Sequence, residues 1–210
     1  AAGDTTVIAY GARHIHPHVA HIMDYSSVIG GCSSASSRLG SKQAGRNAFG
    51  NMPHTLPLIF GDTVSAAQAF DHRLDMAVQR IVLVDTFRDE VEESLGVARA
   101  LREKLRGVRL DTPKERGGVT PMMVNEVRTR LDQSNFRHVE IYVSGGFNPT
   151  RIRQFVEEQV PVNGFMVGSY ITSAPPIDFT ADIREISDNP VSKRGRLPGR
   201  VDNPGLERVI

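Results

Sequence analysis

The sequence predicts an α/β fold, an irregular (β/α) barrel of parallel strands, and three observations carry that prediction. Four strand-then-helix or strand-then-turn units lie between Ile81 and Ser169. Most are about 30 residues apart, the spacing that right-handed crossovers between parallel strands require. Two successive apolar runs, 81–84 and 107–110, each end in Asp-Thr, at Asp85-Thr86 and Asp111-Thr112. Two later runs end in small-residue turns, Ser144-Gly145-Gly146 and Gly168-Ser169. In a barrel, all of these strand ends open onto one face.

Taken in order, residues 5–10 read as a short buried strand. Arg13, His14, His16 and His18 follow, and a helix is expected from Pro17 with Val19, Ile22 and Met23 on one face. The histidines, with His21, look like a metal cluster at first sight. Their i, i+2 steps suit no single helical face, and only Asp24 lies nearby as a carboxylate, so loop histidines are the better reading and no metal ligands are assigned. Residues 28–37 form a small-residue loop that either lines a ligand or packs tightly, and a short helix is expected over 38–44. The turn Gly50-Asn51-Met52-Pro53-His54-Thr55 places His54 on a loop, where a hydrogen bond to backbone competes with a chemical role.

Asp62 or Thr63 caps a helix to about Phe70, and an amphipathic helix is expected over 89–104 with Val91, Leu95, Ala98 and Leu101 inward. Asp85 and Asp111 read as ligand-contacting groups at strand ends, or as N-caps of the helices that follow. Thr120-Pro121 opens a helix with Val124, Val127 and Leu131 inside. The next strand, 138–143, runs into Ser144-Gly145-Gly146 and then Asn148-Pro149, a cap and first helical residue, with Ile152, Phe155 and Val156 inward. Two glycines at a strand-to-helix turn let backbone N–H groups converge on an anion; a plain tight turn is the alternative, which the second such turn at Gly168-Ser169 disfavours. Residues 179–186 alternate as an outer strand. The barrel is placed at 1–187 and a basic tail at 188–210, where Lys193, Arg194, Arg196 and Arg200 form a solvated face or a cover near a phosphate-rich site.

Composition narrows the function. Lys plus Arg total 25 against 24 for Asp plus Glu, which disfavours wholesale nucleic-acid binding or a polybasic membrane surface. Cys32 is the single cysteine, so an internal disulfide framework is excluded and a reducing cytosol is the simplest home. No apolar run reaches the length of a membrane span. The absence of an initiator Met and the early first strand suggest a fragment, or a processed or split chain. A phosphate cup, two carboxylates and a cation together describe a site for a phosphorylated sugar with Mg²⁺.

These residues resemble the nicotinate phosphoribosyltransferase family in its short archaeal-type form. The matching segments run in family order: Tyr10-Gly11-Ala12-Arg13, Ile29-Gly30-Gly31-Cys32-Ser33, Gly50-Asn51-Met52-Pro53-His54-Thr55, Asp85-Thr86-Phe87, Val108-Arg109-Leu110-Asp111-Thr112-Pro113, Val143-Ser144-Gly145-Gly146-Phe147, Gly164-Phe165-Met166-Val167-Gly168-Ser169 and Lys193-Arg194-Gly195-Arg196. Tyr10 stands where the family has Phe, and Asn51 where it has Thr. The resemblance implies a barrel of the type II phosphoribosyltransferase kind, here incomplete at its N-terminus. The family's barrel packs against an N-terminal α/β domain, usually in a dimer with shared sites. The implied reaction joins nicotinate to phosphoribosyl pyrophosphate with Mg²⁺ and with ATP as co-substrate. His54 matches the histidine that ATP phosphorylates. Asp85 and Asp111 would meet ribose hydroxyls or metal-linked waters, Arg13, Ser33, Arg109 and Ser144 would bind substrate, and Gly145, Gly146, Gly168 and Ser169 would hold the 5′-phosphate. Quinolinate or nicotinamide as the base, or a non-catalytic barrel that needs an N-terminal partner, are the alternatives. A chain lacking its N-terminal domain should expose an apolar docking surface.

Overall fold

The computed structural model describes residues 1–201 together with Pro204 and Gly205, in two compact units, Ala1–Ala174 and Pro175–Ile210. The first unit runs β1 (Thr6–Ala9), α1 (Pro17–Ile29), β2 (Ser34–Ala35), α2 (Arg38–Gln43), α3 (Thr55–Phe60), α4 (Thr63–Arg73), β3 (Arg80–Leu83), α5 (Glu90–Leu101), β4 (Leu105–Leu110), α6 (Pro121–Gln133), β5 (Glu140–Val143), α7 (Pro149–Glu157), β6 (Gly164–Val167) and α8 (Ser169–Thr172). Six strands pair in the order β2-β1-β6-β5-β4-β3, and every pairing among them is parallel.

The period of two along each strand separates two apolar clusters. Val82, Val108, Val143, Phe165 and Val167 pack outward with helix residues such as Ala66, Leu95, Val124 and Phe155. Ile8, Ile81, Tyr142 and Met166 turn to the other face, where Tyr10 and Phe49 join them. Phe147, Phe155 and Phe165 form an aromatic knot with centroids 5.1 to 6.1 Å apart, which locks α7 onto β6.

The sheet is open between β2 and β3, and one extended segment spans that gap. Phe49 N–H donates to the Ala35 carbonyl at 2.9 Å, and Met52 N–H donates to the Ile81 carbonyl at 2.9 Å. The Ser34 hydroxyl adds a bond to the Asn47 carbonyl at 2.6 Å. This seam carries Asn51 and delivers the chain to His54.

The helix starts follow their caps. Asp62 accepts from Ser65 N–H at 2.7 Å, Thr120 from Met123 N–H at 3.2 Å and Asn148 from Arg151 N–H at 2.9 Å. Each such cap is worth about 1 kcal/mol. Asp89 caps α5 through the N–H groups of Val91 and Glu92.

Several expectations are corrected. β2 and α3 were not legible as elements, and the helix expected over 89–104 turns 3₁₀ at Arg102–Lys104. Val156 is partly exposed, because α7 buries Ile152 and Phe155 and turns Val156 past the core edge. The α1 face with Val19, Ile22, Tyr25 and Ile29 points to solvent. α1 instead packs through Ala20 and Asp24, whose carboxylate accepts from Ser37 N–H at 2.5 Å. The outer strand expected over 179–186 shrinks to β7 (Glu185–Ile186), antiparallel to β8 (Asn189–Pro190), with the Arg184 carbonyl accepting from the N–H groups of Val191 and Gly199 beside it.

β7 and β8 belong to the second unit. There Arg196 pairs with Asp182 at 3.2 Å and Arg200 with Glu185 at 2.8 Å, so part of the basic cluster is neutralised by its own acids. Positions 202–203 and 206–210 of the expected tail lie outside the described residues.

Candidate active site

At the C-terminal ends of β4 and β5 a polar network is built around Arg109, which is 6 % exposed. Its Nε donates to Ser144 Oγ at 2.9 Å, its Nη1 to Asn51 Oδ1 at 3.0 Å and its Nη2 to Asp111 Oδ2 at 2.5 Å. Ser144 Oγ donates to Asp111 Oδ1 at 2.7 Å, so Asp111 is held on both oxygens. A buried guanidinium is tolerated because its donors are committed in this way. The Tyr10 ring lies 5.2 Å from the Arg109 guanidinium carbon, and Asn51 Nδ2 donates to the Tyr10 hydroxyl at 3.0 Å. The two positions that depart from the family pattern, Tyr10 and Asn51, therefore touch each other and Arg109.

Beside this network, His54 Nε2 lies 3.1 and 3.2 Å from the two oxygens of Asp85. The Asp85 side chain is 3 % exposed and that of His54 39 %. His54 starts α3 and meets a carboxylate, not the backbone. Its pKa is raised from 6.5, first by the Asp85 hydrogen bond and then by the charges of Asp85 and Asp111, against burial and Arg109, which lower it. Asp85 fixes the Nε2 proton and leaves Nδ1 as the nitrogen with a lone pair.

A folded-state pKa above the unfolded one makes this pair stabilising below the unfolded value, and the gain fades as pH rises through the folded value. The stability gap between the parent and Asp85→Asn should accordingly be widest below pH 6.5 and narrow at higher pH. Denaturant melts of both across that window provide the check.

Neither Asp85 nor Asp111 caps a helix; Asp89 and Thr120 do. The capping alternative is thereby removed for both. The Ser144-Gly145-Gly146 turn needs its glycines, with φ of 90° at Gly145 and 73° at Gly146. The N–H groups of Gly145 and Gly146 meet no acceptor among the described residues. Arg151 stiffens this turn: it stacks over Phe147 at 4.3 Å and donates to the Gly145 carbonyl at 2.6 Å and to the Val119 carbonyl. At the second turn, a side chain on Gly168 would lie 2.7 Å from the Tyr10 carbonyl. Arg13 is exposed beside that turn and donates to His14 Nε2 at 3.0 Å; Ser169 opens α8 there.

Ser33 stands apart. Its N–H donates to the Val7 carbonyl at 2.8 Å, at the entry of the strands rather than at their exit. His14, His16, His18 and His21 do not gather into a three-ligand set among the described residues. Burial and Asp24 push the Cys32 thiol pKa up, which suits an inert thiol. Sequence reasoning missed the contacts of Asn51 and the closeness of Lys114, whose Cε lies 3.8 Å from a Cβ placed on Gly146. The Asn-for-Thr departure at position 51 was the available signal for the first.

An open parallel barrel that gathers carboxylates, a guanidinium and glycine amides without an acceptor among the described residues at one rim defines an α/β-barrel domain. A protein-family model described as the C-terminal domain of quinolinate phosphoribosyl transferase matches residues 1–182, and the chain belongs to that family. It is 28 % identical over 216 aligned positions to the nicotinate phosphoribosyltransferase pncB2 of Mycobacterium tuberculosis, covering all of this chain and 45 % of that protein. The crystal structure of nicotinate-nucleotide pyrophosphorylase from Pyrococcus furiosus superposes with a TM-score of 0.83 at 43 % identity, over 95 % of this chain and 50 % of that one. Human nicotinic acid phosphoribosyltransferase shares the fold, with a TM-score of 0.56 at 20 % identity over 79 % of this chain and 43 % of that one. The chain thus spans about half the length of the relatives it matches.

Proposed function

We propose that this barrel carries the phosphoribosyl-transfer site of a nicotinate phosphoribosyltransferase in NAD biosynthesis, working in the cytoplasm with ATP as co-substrate. The observation that carries this reading is the His54–Asp85 pair beside the Arg109–Asp111–Ser144 network. The pyridine nitrogen of nicotinate displaces pyrophosphate at C1′ of phosphoribosyl pyrophosphate, and positive charge grows on the ribose as the C1′–O bond breaks. Asp111 and Asp85 place negative charge at that rim, where it favours the transition state over the ground state. The N–H groups of Gly145 and Gly146, without an acceptor among the described residues, suit the 5′-phosphate, with the Gly168-Ser169 turn as the second wall. Arg13, unlike Arg109, has no carboxylate partner among the described residues and suits the nicotinate carboxylate or the pyrophosphate.

Magnesium fits this site as an ion carried by the substrate. Asp85 and Asp111 offer hard oxygen donors, and such an ion needs only one or two carboxylates when phosphates supply the rest. When bound, it offsets the charge of the leaving pyrophosphate. His54 has a separate use, accepting a phosphoryl group from ATP, which draws the overall reaction toward mononucleotide. A second copy or an adjoining N-terminal domain completes the assembly. The exposed apolar residues of α1 (Val19, Ile22, Ile29) and α3 (Leu58, Ile59, Phe60) support such a partner.

Quinolinate as the base is the second reading, favoured by the description of the family model. The test is turnover of phosphoribosyl pyrophosphate with each base, with and without magnesium and ATP. Nicotinate mononucleotide formed only with magnesium, and faster with ATP, is the expected result. Carbon dioxide released from quinolinate, with no product from nicotinate, would reverse the assignment.

A further inference from the structure

Two glutamates on the first turns of α5 are buried to 4 % exposure, although Asp89 already caps that helix. Glu93 reaches back to the turn that follows Asp85. Its carboxylate accepts from three consecutive backbone N–H groups, those of Thr86 at 3.3 Å, Phe87 at 2.8 Å and Arg88 at 3.1 Å. This is an anion nest filled from within the chain. The Asp85 carboxylate itself has no partner but His54 among the described residues, so the backbone behind it sets its aim.

Glu90 reaches the neighbouring loop. It accepts from the buried Thr112 hydroxyl at 2.7 Å and pairs with Arg116 Nη1 at 3.2 Å. That loop begins directly after Asp111 and ends in Gly117 and Gly118, with φ of 90° and 69°. The loop closes a 3₁₀ turn of its own at Lys114–Arg116, and Glu90 fixes where that turn sits against α5. The field at the start of α5 lowers the cost of keeping both carboxylates charged.

We infer that Glu93 and Glu90 are positioning residues, Glu93 for Asp85 against His54 and Glu90 for the loop that follows Asp111 and carries Lys114. One helix end thereby sets the spacing of both rim carboxylates. The effect on turnover rests on the phosphoribosyl-transfer reading; the effect on His54 does not.

The test reads the tautomer of the neutral His54 imidazole at one alkaline pH by nitrogen NMR, assigned by its loss in His54→Ala, in the parent, Glu93→Gln, Glu93→Asp and Glu90→Gln. With Nε2 held against Asp85, the parent should show the Nε2–H form. Glu93→Gln leaves one carbonyl oxygen where two oxygens accepted from three N–H groups, so the signal should move toward a mixture of both tautomers. Glu93→Asp keeps the charge and should give an intermediate signal; it decides the matter if Glu93→Gln does not fold. Glu90→Gln should leave the parent tautomer, speed amide exchange over 112–118, and lower kcat per folded molecule by about 10- to 100-fold. Arg116→Ala should cause the same loss of kcat, without adding to that of Glu90→Gln.

A folded Glu93 variant with the parent tautomer overturns the assignment for Glu93. Parent-like exchange over 112–118 in Glu90→Gln overturns it for Glu90, and an equal tautomer change in both variants would mean general loosening instead. A parent that transfers no phosphoribosyl group defeats the reaction reading alone, because the tautomer and the exchange still decide the positioning.

Discussion

Asp111→Asn should lower phosphoribosyl transfer per folded molecule by about 100- to 1000-fold, the scale seen when one preorganised electrostatic partner of a transition state is removed. Asp111 is bonded through one oxygen to Arg109 and through the other to Ser144. The amide keeps the shape and loses the charge. Arg109 then faces the developing ribose cation without its counter-charge, and Ser144 loses an acceptor or gains a competing donor. Folding should suffer less, by about 1–3 kcal/mol, because the Arg109 bonds to Ser144 and Asn51 survive. Turnover and urea midpoints measured on one preparation separate the two effects. A drop in stability with turnover intact would make Asp111 a structural brace and remove it from the reaction.

His54→Ala should abolish the acceleration by ATP while leaving basal nicotinate mononucleotide formation within about tenfold of the parent. The geometry predicts the chemistry of the intermediate as well. Nε2 is held against Asp85, so the phosphoryl group should attach at Nδ1. Asp85 steadies the ring and balances the charge that it gains as the new N–P bond forms. Phosphorus NMR of the protein quenched in alkali distinguishes the two phosphohistidine isomers. Attachment at Nε2 would require the ring to leave Asp85, and ATP coupling intact in His54→Ala would place the acceptor elsewhere.

Much of this architecture could be read from the residues, for reasons that differ along the chain. β6 is apolar and buried on both faces, and β3 and β4 are so apart from Arg80, Arg106 and Arg109, so their apolar runs need no register to be recognised. The Asn148-Pro149 and Thr120-Pro121 helix starts carry their own chemistry. The site followed from the strands, because parallel strands of a barrel deliver their ends to one rim. β2 and α3 stayed hidden because a two-residue strand and a six-residue helix have too few positions to show a period. Asn51 could be noticed but not interpreted, since its partners Arg109 and Tyr10 are 58 and 41 residues away. α1 misled for another reason: its apolar face is real, but it points outward.

The strand order also has a consequence in time. β1 is made before the other five strands of this sheet, yet it lies between β2 and β6, and Ala9 must wait for Val167. Until then, residues up to α2 can form only a small β1–β2 unit with α1 and α2 packed on it. β3 to β6, by contrast, pair each with the next in sequence and can assemble as the chain emerges. Closure of the ring then depends on the most sequence-distant pairing in the sheet and on the two backbone bonds of Phe49 and Met52. Contacts this far apart are slow to form. Folding should therefore end with the docking of two preformed blocks. The residues that join them include Asn51, so the site is finished in the same event that closes the barrel.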